Sequence, residues 1–166
     1  MLKKLFVIIF LFALSAIGVL GQEEIKPVKW SLLVKNTSKS LSKGDLFNAV
    51  LKAEIQKGWH LYAMEKTEGG PIATRMTVID ESLFEIGKII APKPLESEDT
   101  SFGMTTKFYE DSATFTLAVK VLKTFELIST GLKIKVRFQS CNSEMCLAPR
   151  TVLVESNYEK VEENKQ

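Results

Sequence analysis

The side chains best equipped for chemistry in this chain are its two cysteines, Cys141 and Cys146, and its single histidine, His60. The cysteines bound the segment Cys-Asn-Ser-Glu-Met-Cys, and Pro149 follows shortly after. Two thiols this close are natural partners wherever disulfides persist. As a staple the pair is weak: closing a loop of about six residues stabilises by about 2 kcal/mol, against about 3 kcal/mol for fifteen. A pair that stabilises so little points to reaction. The chemistry would be thiol–disulfide exchange, in which a thiolate attacks one sulfur and the other sulfur leaves. Two other readings stay open at this level. One is a binding module whose disulfide is structural. The other is a soft-metal site in which reduced Cys141 and Cys146, with His60 and Met145 or Met104, hold a cuprous ion. The expectation adopted is exchange, with no cofactor and no resident metal.

The compartment follows from the first residues. Lys3 and Lys4 precede an apolar run from Leu5 to Leu20, broken only by Ser15 and Gly18. That run, about 16 residues, falls short of the roughly 20 that span a bilayer. Residues 1–21 therefore read as a signal peptide, with Gln22 as the new N-terminus and no membrane span after cleavage. Lys3 and Lys4 also account for the whole net charge of +2. Residues 22–166 are formally neutral and carry no basic stripe with interleaved aromatics, so a nucleic-acid partner is not expected. Their length suits one domain that buries a core without disulfides. A monomer is expected.

The pattern that must position the cysteines is β throughout. Val28, Trp30, Leu32 and Val34 alternate with more polar neighbours, as do Phe115, Leu117, Val119 and Val121, and Leu132, Ile134, Val136 and Phe138. Period two marks half-buried strands. Further strands are predicted over 46–56, 59–63, 72–79, 84–90 and 151–155. Residues 46–55 also fit a helix, but their β neighbours favour a strand. Seven to eight short strands imply an all-β, immunoglobulin-like antiparallel sandwich. Residues 156–166 read as a frayed tail. Residues 91–112 read as a long connection loaded with Phe102, Met104, Phe108 and Tyr109, either covering a sandwich edge or forming a lid. Trp30 and Trp59 read as core. His60, between Trp59 and Leu61, reads most simply as a hydrogen-bonded structural or surface residue. Gly69-Gly70-Pro71 lacks the Lys-Ser/Thr of a phosphate loop. One histidine leaves little room for a hydrolase triad.

The strand ending at Phe138 leads directly into Gln139-Ser140-Cys141, and Leu147-Ala148-Pro149 follows Cys146, which places the pair on a hairpin-like connection at one end of the sandwich. These motifs resemble the N-terminal periplasmic domain family of the thiol–disulfide interchange protein DsbD. Gly58-Trp59-His60-Leu61-Tyr62 resembles the family's aromatic strand near its redox pair. Asp99-Thr100-Ser101-Phe102-Gly103, with Phe108-Tyr109 beyond it, resembles its cap loop and the strand that follows. The resemblance spans nearly all of the chain after residue 21. It implies an immunoglobulin-like sandwich acting as a reductase-type protein thiol–disulfide oxidoreductase. Such a domain receives electrons from a thioredoxin-like domain and passes them to periplasmic oxidoreductases, including disulfide isomerases and cytochrome c maturation thioredoxins. By position, Cys146 would form mixed disulfides and Cys141 would resolve them. Phe102 would cap the pair, with Asp99 and Gly103 in the cap loop; Tyr62, His60 and Pro149 would line the pocket. Two departures stand out: four residues separate the cysteines where the family usually has five, and His60 replaces an aromatic hydroxyl. No membrane or thioredoxin-like segment follows in this sequence, which leaves the electron donor open; thioredoxin-like proteins are the expected partners, with a separate membrane thiol reductase as a further candidate. The expected compartment is the periplasm.

Overall fold

A computed structural model describes residues 24–35, 40–126 and 131–159. The predicted signal peptide and residues 160–166 lie outside the described residues. No helix occurs among the described residues. In chain order the strands are β1 (Val28–Lys35), β2 (Ser40–Leu41), β3 (Leu46–Ile55), β4 (Trp59–Tyr62), β5 (Arg75–Val78), β6 (Phe84–Ile90) and β7 (Leu95–Asp99). They continue as β8 (Met104–Tyr109), β9 (Ser112–Val121), β10 (Phe125–Glu126), β11 (Lys133–Phe138), β12 (Ser140–Asn142) and β13 (Arg150–Glu159).

Seven strands share one hydrogen-bonded order, β5-β11-β13-β1-β3-β9-β6. Its two ends, β5 and β6, are consecutive in the chain and line one surface groove together. The order must therefore fold back on itself, and β13 is where it turns. Residues 150–155 pair antiparallel with β11, whereas Ser156–Glu159 pair parallel with β1. One strand thus belongs to both layers of a sandwich. A second sheet, β12-β4-β8-β7, extends from one end, and β10 pairs with β2.

The alternation seen in the sequence sets which faces meet. Ile134, Val136 and Phe138 of β11 point inward while Lys133, Lys135 and Arg137 point out. Phe115, Leu117, Val119 and Val121 of β9 are wholly buried. Trp30 of β1 lies across both layers, its ring 6.2 Å from Phe115 and 5.4 Å from Phe138. Trp59 is buried in the same core, whereas Trp30 is only partly buried against it. Burying one large aliphatic or Phe side chain is worth about 1.5–3 kcal/mol. The cysteine staple thus counts for no more than one or two of these residues.

Thirteen strands occur among the described residues, and seven of them make the folded-back order of the sandwich, as expected. Two expectations need correction. The 91–112 connection is no open loop: β7 and β8 form a hairpin across it. The strand predicted over 151–155 continues to Glu159, because Ser156–Glu159 find ladder partners on β1, so this part of the expected frayed tail is paired. The helix alternative for 46–55 is replaced by β3, which pairs with β1 and β9 on its two sides.

Candidate redox site

The site grows from the β11–β12 junction. β11 pairs with β5 and β13, but after Gln139 the chain leaves that layer and β12 pairs with β4 instead. Cys141 thereby stands opposite His60. The chain then turns back, and Cys141 and Cys146 face each other as an antiparallel bridge. Asn142 N–H donates to the Met145 carbonyl at 2.9 Å, and Leu147 N–H donates to the Ser140 carbonyl at 3.0 Å. Asn142 also fixes the turn with its side chain: its Oδ1 accepts from the N–H groups of Glu144 (2.9 Å) and Met145 (2.7 Å). Asn is favoured there because its short amide mimics a backbone turn.

A disulfide joins Cys141 to Cys146, with Cα atoms 4.1 Å apart. The two cysteines differ in access. Cys141 is 0% exposed, while Cys146 is partly exposed. Of the two, only Cys146 presents surface to solvent.

The hairpin ladder and the β11–β13 ladder are out of step. Phe138 pairs with Arg150, which in unbroken register would set Cys141 against Leu147. It faces Cys146 instead, so the outgoing leg holds one extra residue near Pro149. This is a β-bulge, and Pro, lacking an N–H, suits one. The break is bridged by a side chain. Gln139, 9% exposed, donates from Nε2 to the Leu147 carbonyl (3.3 Å) and accepts at Oε1 from Ile72 N–H (2.9 Å). Its own carbonyl accepts from Tyr62 N–H at 3.3 Å.

Beside β4 lies the β7–β8 hairpin, whose turn Thr100–Gly103 is the expected cap. Gly103 takes a φ of +64°, which glycine adopts without Cβ strain. Its N–H donates to the Asp99 carbonyl at 2.7 Å. The turn sets Phe102 edge-on against Tyr62, ring centroids 5.8 Å apart. Asp99 ties the turn down. Its carboxylate accepts from Tyr62 OH (2.5 Å), Thr106 OH (3.2 Å) and Ser101 N–H (2.9 Å). Burial pushes the Asp99 carboxyl up, but these three donors and the nearby His60 outweigh it and hold the group below its usual range. Burial, and then the same carboxylate, push the Tyr62 phenol up, so it stays a donor.

His60 packs between Tyr62 and Phe108, at centroid distances of 5.0 and 4.8 Å. Its Nε2 is buried without a hydrogen-bond partner among the described residues, 4.0 Å from Asp99 Oδ2. The expected hydrogen-bonded or surface histidine is thus corrected to a part-buried ring whose Nε2 has no hydrogen-bond partner. Burial lowers its pKa from 6.5, against opposing pulls from Asp99 and Glu110. A folded-state pKa below the unfolded one means the unfolded chain binds the extra proton first. Stability present above pH 6.5 is therefore lost as pH falls below it. In urea unfolding of the oxidised protein, His60→Phe is expected to lose less stability than the parent between pH 7.5 and pH 5. Equal losses would show that this ring is not the titrating group.

His60, Asp99, Phe108, Glu110 and Asn142 border a cleft of about 260 Å3 beside the cysteine hairpin. Of the sequence-predicted residues, Cys141, Cys146, His60, Tyr62, Asp99, Phe102 and Gly103 gather on this one sheet and its turns, and Pro149 sits at the bulge. Tyr109 instead enters the core, edge-on to Phe115. Arg150, directly after Pro149, is turned to other partners: its guanidinium donates to the Ile25 carbonyl and to Glu24. Sequence reasoning gave no role to Thr106, Asn142 or Gln139. Asn142 had a readable signal as a turn-forming residue beside a cysteine. Thr106 had none, because its role depends on β7 lying alongside.

No curated protein matches the chain. Among solved structures, the N-terminal periplasmic domain of ScsB from Proteus mirabilis matches with a TM-score of 0.54 and 17% identity. That match covers 81% of this chain and 48% of the other, so the chain spans about half the length of that ScsB domain. The reduced DsbD N-terminal domain of Neisseria meningitidis matches with a TM-score of 0.49 and 16% identity, covering 76% of this chain and 82% of that one. A complex of the DsbD and PilB N-terminal domains from the same organism gives a TM-score of 0.45 at 16% identity, covering 76% and 80%. The model of the family described as thiol:disulfide interchange protein DsbD, N-terminal, matches residues 31–157. With most of the sequence inside that match, the chain belongs to the DsbD N-terminal domain family.

Proposed function

We propose that this domain passes electrons by thiol–disulfide exchange between its Cys141–Cys146 pair and thioredoxin-like proteins outside the cytoplasm, after removal of residues 1–21. The observation that carries this reading is the unequal access of the two cysteines: Cys146 is open to approach and Cys141 is closed off. A partner thiolate attacks the Cys146 sulfur. The S–S bond breaks, and Cys141 leaves as a thiolate and takes up a proton. The partner's second thiol, as thiolate, then attacks its own sulfur in the mixed disulfide and releases Cys146, which is protonated in turn. Two electrons and two protons have entered the domain, and the partner leaves as a disulfide. The reverse sequence delivers them to the next protein. Family membership supports the same reading, as does the turn that packs Phe102 on Tyr62, two residues along β4 from the His60 that faces Cys141.

Redox titration of residues 22–166 against glutathione tests it. The expected reduction potential lies above about −300 mV, the level below which disulfides behave as inert scaffolding. A lower value, or a pair that glutathione cannot reduce in the folded protein, would sink the exchange reading.

A further inference from the structure

We infer that Gln139 is a positioning residue for exchange, its side-chain amide holding the Cys146 leg of the hairpin in reach of Cys141 while the disulfide is open. The inference rests on the proposed exchange function and adds a residue to it.

While the disulfide is closed, the S–S bond itself holds the two legs together. Once it opens, non-covalent contacts must do so. At the tip, the Asn142 side chain and the Asn142–Met145 bond keep the turn. Below the cysteines, Leu147 N–H still reaches the Ser140 carbonyl. Beyond that point the ladder fails, because the register slips by one residue before Phe138 meets Arg150. Pro149 has no N–H with which to mend it. Gln139 spans this gap. Its Nε2 reaches the Leu147 carbonyl, one residue past Cys146. Its Oε1 is fixed by Ile72 N–H in the β4–β5 connection, and its carbonyl by Tyr62 N–H. The amide is therefore anchored to the body of the domain and aimed at the leg that carries the attacked sulfur.

Resolution of a mixed disulfide on Cys146 is an intramolecular attack by the Cys141 thiolate. It forms the Cys141–Cys146 bond and expels the bound thiol. Its efficiency depends on how tightly the two sulfurs are held in reacting geometry. Gln139 contributes more to the open state than to the closed one, where the covalent bond already does this work. Removing the amide should therefore lower the effective concentration of Cys141 at Cys146.

The test is equilibration of residues 22–166 in glutathione buffers, with acid quenching and mass spectrometry of the dithiol, disulfide and glutathione mixed-disulfide forms. Gln139→Met keeps the side-chain volume and removes both hydrogen bonds. It is expected to lower the effective concentration about tenfold and enrich the mixed disulfide accordingly. Gln139→Glu, ionised at pH 8, still accepts from Ile72 N–H but has no donor for the Leu147 carbonyl. At pH 8 it is expected to lower the effective concentration as Gln139→Met does. A role confined to general scaffolding would lower thermal stability in both oxidation states alike and leave the effective concentration unchanged; that result overturns the inference. So does a Gln139→Glu variant with the parent's effective concentration. A parent protein that never reacts with glutathione would instead overturn the exchange function itself.

Discussion

Cys146→Ala is expected to abolish covalent capture of a thioredoxin-like protein, while Cys141→Ala is expected to make that capture permanent. The asymmetry follows from access. Cys146 is partly exposed on the outgoing leg of the hairpin, and Cys141 has no exposed surface. The probe is a thioredoxin-like protein that keeps one active-site cysteine, presented as an activated aromatic disulfide. In the parent dithiol, Cys146 displaces the aromatic thiol to form the mixed disulfide. Cys141 then attacks Cys146 and frees the probe. Without Cys146 the remaining thiol is enclosed, and complex formation should fall to the level of a cysteine-free variant. Without Cys141 the first step proceeds and the second has no nucleophile, so the complex persists on a non-reducing gel. Complex formation by neither variant, or by both alike, would contradict the assigned roles.

Phe102→Ala is expected to speed reduction of the disulfide by a small thiol about threefold to tenfold. Phe102 meets Tyr62 edge-to-face at 5.8 Å, and such a contact is worth about 0.5–1.5 kcal/mol beyond the area it buries. Each 1.4 kcal/mol is a factor of ten in an equilibrium constant, here the one between closed and open cap. The effect stays modest because Asp99 still ties the turn through Tyr62, Thr106 and Ser101. Stopped-flow reduction of parent and variant by dithiothreitol measures it. An unchanged rate would remove Phe102 from the cap role.

The parts of this molecule legible in its sequence are those whose side chains face water on one side only. β1, β9 and β11 announce themselves because Leu32, Phe115 and Ile134 alternate with polar neighbours, and the core they predict is the core found. β7 was illegible for the opposite reason. Leu95-Glu96-Ser97-Glu98-Asp99 is an almost wholly exposed edge strand, defined by its pairing with β8 and not by a buried face of its own. β12 is three residues long, too short for any period to show. At the site, the cysteines, the aromatic strand and the cap turn were readable as motifs. Their joint position was not, because it rests on registers: Cys141 against His60, and Asp99 two strands beyond. The Gln139 bridge was hidden in the same way, since it answers a one-residue slip between two ladders that no local pattern records.

β13 begins directly after Pro149 and is stitched to both layers, first to β11 and then to β1. A strand fastened along its whole length acts as a mechanical stop. Slack that appears when the sulfurs part is therefore expected to stay between Ser140 and Pro149, with β12 held on β4 and β13 on both layers. A change of oxidation state would then be felt mainly at the tip of the molecule, where a visiting protein has to touch to read it.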